Sequence, residues 1–103
     1  MKLNTINIAH GWMCQYLKAG DLCIDATAGR GHDTVFLCEL VGDTGRVLAF
    51  DIQEEAVNST KFLLKEKGLK AEVYLESHTH MDHYVKPETV DGIVFNFGYL
   101  PGG

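Results

Sequence analysis

The sequence predicts an α/β protein built on a doubly wound parallel sheet with helices on both faces. Short apolar runs, too brief for helices, alternate with longer amphipathic segments. The short runs are continuously apolar, as in parallel strands that are covered on both faces. A glycine-rich turn joins the first run to the segment that follows it. Because crossovers between parallel strands are right-handed, few topologies remain, and the strand order 3-2-1-4 is the simplest.

The first half of the chain is predicted to hold two helices and two strands. Apolar residues recur at helical spacing over residues 9–17, which predicts a first helix. Residues 22–24 form a short apolar run that is predicted as the first strand. A second helix is predicted over residues 32–40, after the glycine-rich turn. The second strand is predicted over residues 47–50, and it ends at Asp51.

The second half contains the clearest helix, at residues 54–67, which has early acids, late lysines and a following glycine. Its predicted inner face consists of Ala56, Val57, Thr60, Leu63 and Leu64. Strands are predicted at residues 71–75 and 91–97, and a polar loop at residues 77–83. We expect residues 1–103 to form one domain whose sheet is incomplete after strand four. Strand four would then be an exposed apolar edge of the sheet. Two copies of the chain could associate across this edge, so a homodimer is one of the possibilities.

Composition narrows the class of protein. The chain is 46% hydrophobic and 22% charged, which is typical of a globular domain. Its net charge of -5 gives no long-range attraction to a phosphate backbone, although a local basic patch can still bind RNA. Three cysteines without a Cys-x-x-Cys pair predict buried thiols in a reducing, cytoplasmic setting. No apolar run reaches about 18 residues, so no membrane span is expected, and the N-terminus has no signal-peptide core.

The glycine-rich turn at residues 25–31 has the context of a nucleotide site, with a strand before it and a helix after it. Glycines let a ligand approach the backbone, and a helix N-terminus offers free N–H groups. Asp51 follows Gly31 by twenty residues, a spacing that suits a carboxylate on ribose hydroxyls. A tight turn without ligand and a helix N-cap at Asp51 are the structural alternatives. Thr34 stands where the nicotinamide fingerprint has its third glycine, which argues against a dehydrogenase.

Four segments resemble one family. They are residues 25–34 (DATAGRGHDT), 49–56 (AFDIQEEA), 77–85 (SH-x-x-MD-x-YV) and 96–103 (NFGYLPGG). Together they resemble the rRNA methylase family, which is a branch of the class I S-adenosylmethionine-dependent methyltransferases. The resemblance implies S-adenosylmethionine as cofactor and RNA as substrate. Members are understood to methylate the aminomethyl group of the wobble uridine of tRNA.

The resemblance also implies a role for particular positions in binding the cofactor. The methionine end would be lined by Asp25, Ala28, Gly29 and Gly31, with Asp33 and Thr34 closing the turn, and Thr27 also counts among the cofactor-binding residues. Asp51 would hold the ribose, with Ile52 and Gln53 beside the adenine. Ser77 and His78 would flank the adenine from the loop after strand three. Two positions depart from the pattern, since Thr27 replaces the usual first glycine and Arg30 replaces a small polar residue.

By the same resemblance, Asn96, Gly98 and Tyr99 occupy the place where the cofactor methyl meets the acceptor. Attack of an amine on a sulfonium methyl requires positioning more than a strong acid or base. Asn96 would then orient the amine, and Tyr99 would pack on a base. The structural alternative is a strand cap at Asn96 and a core residue at Tyr99.

The histidine-rich segment favours a rival interpretation. His78-Thr79-His80-Met81-Asp82-His83 has the pattern of the zinc site in the metallo-β-lactamase superfamily, and imidazoles with a carboxylate bind zinc well. The usual Gly-Gly after that motif is replaced by Tyr84-Val85. We therefore expect no physiological metal site. A zinc hydrolase is the first alternative function, and a non-catalytic fragment or binding module is the second.

Overall fold

A computed structural model describes residues 17–94 of the protein. This part of the chain contains a four-stranded sheet of β1 (Leu22–Asp25), β2 (Arg46–Asp51), β3 (Glu72–Leu75) and β4 (Gly92–Val94). The strand order is β3-β2-β1-β4, and neighbouring strands are parallel. The predicted fold class and strand order are confirmed.

Two α-helices connect these strands, α1 (His32–Val41) and α2 (Glu54–Lys67). The bounds of α2 are those predicted, because its apolar spacing is clear and Gly68 ends it. Gly68 adopts the left-handed conformation (φ 68°), and its N–H donates to the carbonyls of Leu64 and Lys65. The predicted helix at residues 9–17 lies outside the described residues except for Leu17, which is buried.

The prediction of a polar loop at residues 77–83 is wrong, because His78–His83 form a 3-10 helix. The side chain of Ser77 caps it by accepting from the N–H of Thr79 at 3.2 Å. A second short 3-10 helix follows at Pro87–Thr89. Since such a short helix depends on local caps rather than on a long apolar stripe, hydrophobic periodicity does not reveal it.

The side chains of the sheet alternate between two apolar clusters, one on each face. On one face, Cys23 and Val47 belong to a cluster completed by α1 and α2. On the other face, Ile24, Leu48 and Phe50 pack with Val85 and with partly buried residues of the 3-10 segment. The sheet is therefore covered on both faces, as predicted.

Cys23 and Cys38 are free, buried thiols. Burial raises the pKa of Cys23 to about 12 and that of Cys38 to about 11. Both side chains therefore act as small apolar groups of the core. Cys14 and the last part of the predicted fourth strand, residues 95–97, lie outside the described residues.

Candidate cofactor site

Asp25 ends β1 and fixes the glycine-rich turn to the start of α1. One carboxylate oxygen accepts from the hydroxyl of Thr34 at 2.6 Å. The other accepts from the backbone N–H of Thr27 at 3.3 Å. Asp25 and Thr34 are both fully buried. The carboxylate therefore holds both ends of the turn in place.

Burial, together with the weaker effect of the nearby carboxylates of Asp33 and Asp51, raises the pKa of Asp25 to about 7. The hydrogen bonds from Thr34 and Thr27 act in the opposite direction, because they stabilise the charged form. The charged form of Asp25 is thus poorly compensated by its surroundings. A cation placed over the turn would stabilise it.

Two glycines shape the turn, and one of them lets it pass close to α2. Gly29 and Gly31 have positive φ values of 58° and 94°. A Cβ atom at Gly31 would lie 2.9 Å from the Cα of Thr60, which is closer than real contacts allow. Gly31 is also the N-cap of α1, where no side chain caps the helix. A glycine here leaves the entry to the helix open to a ligand.

Asp51, at the end of β2, joins the turn to the start of α2. One of its oxygens accepts from the N–H of Gly29 at 3.0 Å, and the other accepts from the N–H of Gln53 at 2.9 Å. The N-cap of α2 is Gln53, so Asp51 is not the cap residue that the structural alternative proposed. A carboxylate oxygen can accept more than one hydrogen bond, so both oxygens retain capacity for ribose hydroxyls.

A cleft of about 220 Å³ opens beside Asp51 at the carboxyl ends of the strands. Its lining residues are Ala26, Thr27, Asp51, Ile52, Glu76, Ser77 and His78. The side chain of Ile52 is 74% exposed at the rim, although it is apolar. An exposed apolar side chain beside polar groups suits a flat ligand such as a nucleobase.

The structure brings five of the predicted site residues into this one cleft, and these are Thr27, Asp51, Ile52, Ser77 and His78. Five others belong to the turn and to the first turn of α1, and these are Ala28, Gly29, Gly31, Asp33 and Thr34. Gln53 is exposed at the start of α2 and does not line the cleft. Asn96, Gly98 and Tyr99 lie outside the described residues.

Sequence reasoning missed Ala26 and Glu76 as residues of the cleft. Glu76 accepts a hydrogen bond from the hydroxyl of Tyr84 and lies 3.4 Å from Nδ1 of His80. These contacts attach the 3-10 segment to the end of β3. The predicted third strand ends at Leu75, so the sequence puts Glu76 at the carboxyl edge of the sheet, but no local pattern shows that Tyr84 and His80 hold it there.

The histidine-rich segment does not form the zinc site of the rival interpretation. His78 lines the cleft beside Asp51, whereas the rings of His80 and His83 stack on each other at 5.5 Å. Within residues 17–94, no group of three or more His, Cys, Asp or Glu side chains is placed to hold a metal ion. The geometry therefore gives the zinc hydrolase no support.

No helix in this part of the chain is long and apolar enough to cross a membrane.

Comparison with known proteins agrees with this geometry. The family model described as "Putative rRNA methylase" matches residues 47–103, which is more than half of the chain. The chain belongs to the rRNA methylase family. The resemblance inferred from the four sequence segments is thereby confirmed.

Three relatives of this rRNA methylase family member are informative. The chloroplastic tRNA (mnm(5)s(2)U34)-methyltransferase of Arabidopsis thaliana is 39% identical over 93% of this chain and 39% of its own length. An rRNA methylase structure from Streptococcus thermophilus is 37% identical, with a TM-score of 0.82, and covers 98% of this chain and 54% of that one. A methyltransferase from Streptococcus mutans in complex with SAH is 36% identical, with a TM-score of 0.82, over 100% of this chain and 57% of that one. The chain thus spans about half the length of these structures.

Proposed function

We propose that this chain binds S-adenosylmethionine for methyl transfer to RNA, and that the acceptor is the aminomethyl group of the wobble uridine of tRNA. The observation that carries the proposal is the position of Asp51, which joins the glycine-rich turn to α2 at the mouth of the cleft. The complex of the S. mutans relative with SAH supports the cofactor. The name of the A. thaliana relative supports the tRNA acceptor.

The residues present fit the cofactor. The ribose would take hydrogen bonds from its hydroxyls to Asp51, whose oxygens each accept a single described N–H. The adenine would lie against Ile52, with Ser77 and His78 among the other residues that line the cleft. The methionine end would lie over the turn above Asp25, where a positive charge offsets the buried carboxylate. The bound cofactor would supply an electrophilic sulfonium methyl group.

The protein's own contribution to this reaction would be orientation and exclusion of water. Methyl transfer to an amine is accelerated when the two reacting atoms are held close and in line. Asn96, Gly98 and Tyr99 are proposed to form the acceptor end, and the resemblance of residues 96–103 to the family motif supports this assignment. We also propose that residues 1–103 form a single cofactor-binding domain.

The cofactor part of the proposal is tested by calorimetric titration of S-adenosylmethionine into the protein and into an Asp51→Ala variant. We expect the variant to lose about tenfold or more in affinity, since one hydrogen bond to a charged group contributes roughly 1.5 kcal/mol. Asp43→Ala is the matched control, because Asp43 is an exposed carboxylate in the turn between α1 and β2. A folded Asp51→Ala variant that binds as well as the control would contradict the proposed site.

The acceptor is tested separately by transfer of labelled methyl from S-adenosylmethionine to tRNA. Two tRNA preparations are compared, one with an aminomethyl group at the wobble uridine and one with an unmodified uridine. We expect label only in the first, because an amine is the required nucleophile. Equal labelling of the two preparations would show that the acceptor is a different atom.

A further inference from the structure

Basic residues are concentrated at one place on this acidic protein. The chain has 9 Lys and Arg residues against 14 Asp and Glu residues. Four of the nine are Lys61, Lys65, Lys67 and Lys70, near the end of α2 and in the turn that follows it. Glu66 is the single acidic residue in the same ten positions. The charge of this segment is therefore opposite to that of the whole chain.

Three of these lysines line a groove of about 510 Å³ between α2 and the start of β3. They are Lys61, Lys65 and Lys70, and the other lining residues are apolar, among them Leu64 and Val73. No acidic side chain is among the described residues that line it. The ion pairs described within residues 17–94 use other basic groups, those of Arg46 and His80. We call this feature the lysine groove.

An exposed aromatic ring lies beside the lysine groove. The side chain of Phe62 is 63% exposed. It precedes Lys65 by three positions on α2, and residues at that spacing are neighbours on a helix surface. Proteins that bind single-stranded nucleic acid combine two elements. One is a positively charged groove that follows the sugar–phosphate backbone, and the other is an aromatic side chain on which a base stacks.

We infer that the lysine groove binds the sugar–phosphate backbone of the RNA substrate, and that Phe62 packs against one of its bases. The inference rests on the proposed function in that it takes RNA as the substrate. Charge complementarity favours this occupant, because the groove presents positive charge on a protein of net charge -5.

The position of the lysine groove relative to the cofactor cleft is compatible with one RNA molecule reaching both. The helix α2 starts at Glu54, two residues after Ile52 at the rim of the cleft. Lys61 and Lys65 are then displaced by roughly 10 Å and roughly 16 Å along the helix axis, at about 1.5 Å per residue. A short RNA stem-loop can span that distance.

The test measures binding of a fluorescein-labelled tRNA anticodon stem-loop by anisotropy at several salt concentrations, without cofactor. The groove variant Lys61→Gln/Lys65→Gln is compared with Lys18→Gln/Lys86→Gln, which removes the same charge from two exposed lysines elsewhere. We expect the slope of log affinity against log salt to fall by about 0.7–0.9 per lost phosphate contact in the groove variant. The control variant should keep the slope of the unchanged protein.

Phe62→Ala should weaken RNA binding by about fivefold or more, the lower end of what base stacking contributes, without changing the salt slope. The inference is overturned if the two double variants behave alike, or if the folded protein does not bind the RNA. Binding of a second protein copy at the groove, seen by sedimentation as association that the groove variant loses, would also overturn it.

Titration of S-adenosylmethionine into the same variants separates this inference from the proposed function. The groove variant should bind the cofactor as the unchanged protein does, because none of its substituted lysines lines the cleft. RNA binding that depends on the groove in a protein that binds no cofactor would support the lysine groove and refute the proposed function.

Discussion

The buried carboxyl of Asp25 should make the stability of the fold depend on pH. Burial raises its pKa from 3.8 to about 7, so the folded protein holds the proton over a range where the unfolded chain has released it. The contribution of Asp25 to stability is then fully present below about pH 4 and is lost as the pH rises to about 7. A difference of one pKa unit between the folded and unfolded states corresponds to about 1.4 kcal/mol in the free energy of unfolding. The shift from 3.8 to about 7 therefore corresponds to about 4 kcal/mol.

The measurement compares the protein with Asp25→Asn, which keeps the shape of the side chain but cannot ionise. The free energy of unfolding is obtained by urea denaturation, followed by circular dichroism, at several values between about pH 4 and about pH 8. Titration of the other acidic groups is common to both proteins and cancels in the difference. We expect the unchanged protein to lose stability relative to the variant as the pH rises. A difference that stays constant across the range would refute the reasoning.

Two further substitutions, Gly31→Ala and Tyr84→Phe, test the surroundings of the site, and Gly68→Ala is the control for the first. Gly31→Ala should destabilise the fold by about 2 kcal/mol or more, because left-handed strain adds to the clash with Thr60. Gly68 has a similar left-handed backbone and no atom within 4 Å of an added Cβ, so Gly68→Ala should cost about 1 kcal/mol. The stability of both variants is measured by thermal denaturation. Equal losses of stability would contradict the close approach of Gly31 to Thr60. Tyr84→Phe removes the hydrogen bond to Glu76 and keeps the ring, so we expect S-adenosylmethionine affinity to fall severalfold in calorimetry. Unchanged affinity would show that this bond does not position the cleft.

The sequence predicts those parts of the fold that depend on local pattern. Both ends of α2 were predicted correctly, because its apolar spacing and the glycine that ends it, Gly68, are features of one short segment of the sequence. The strand order could be predicted because right-handed crossovers leave few topologies, and the order found is the simplest of them. Asp51 could be singled out because its spacing from the glycine-rich turn is regular in nucleotide-binding folds.

What could not be predicted depends on contacts between distant residues. The bond from Gly29 to Asp51 joins positions 22 residues apart, and it exists because β1 and β2 are parallel neighbours. Glu76 becomes part of the cleft because Tyr84 and His80 return to it, which requires the 3-10 segment that hydrophobic periodicity does not reveal. The clash that forbids a side chain at Gly31 likewise comes from α2 rather than from its own turn.

The helix α2 also sets a fixed distance within the molecule. It runs for 14 residues without an interior glycine or proline, so it acts as a rigid rod of about 21 Å. One end adjoins the cleft beside Asp51 and the other carries the lysine groove, while Thr60 in its middle donates a hydrogen bond to the carbonyl of Gly29 at 3.4 Å. The length of this helix therefore sets the separation between the cleft and the lysine groove, and the contact at Thr60 attaches the glycine-rich turn to the middle of the helix.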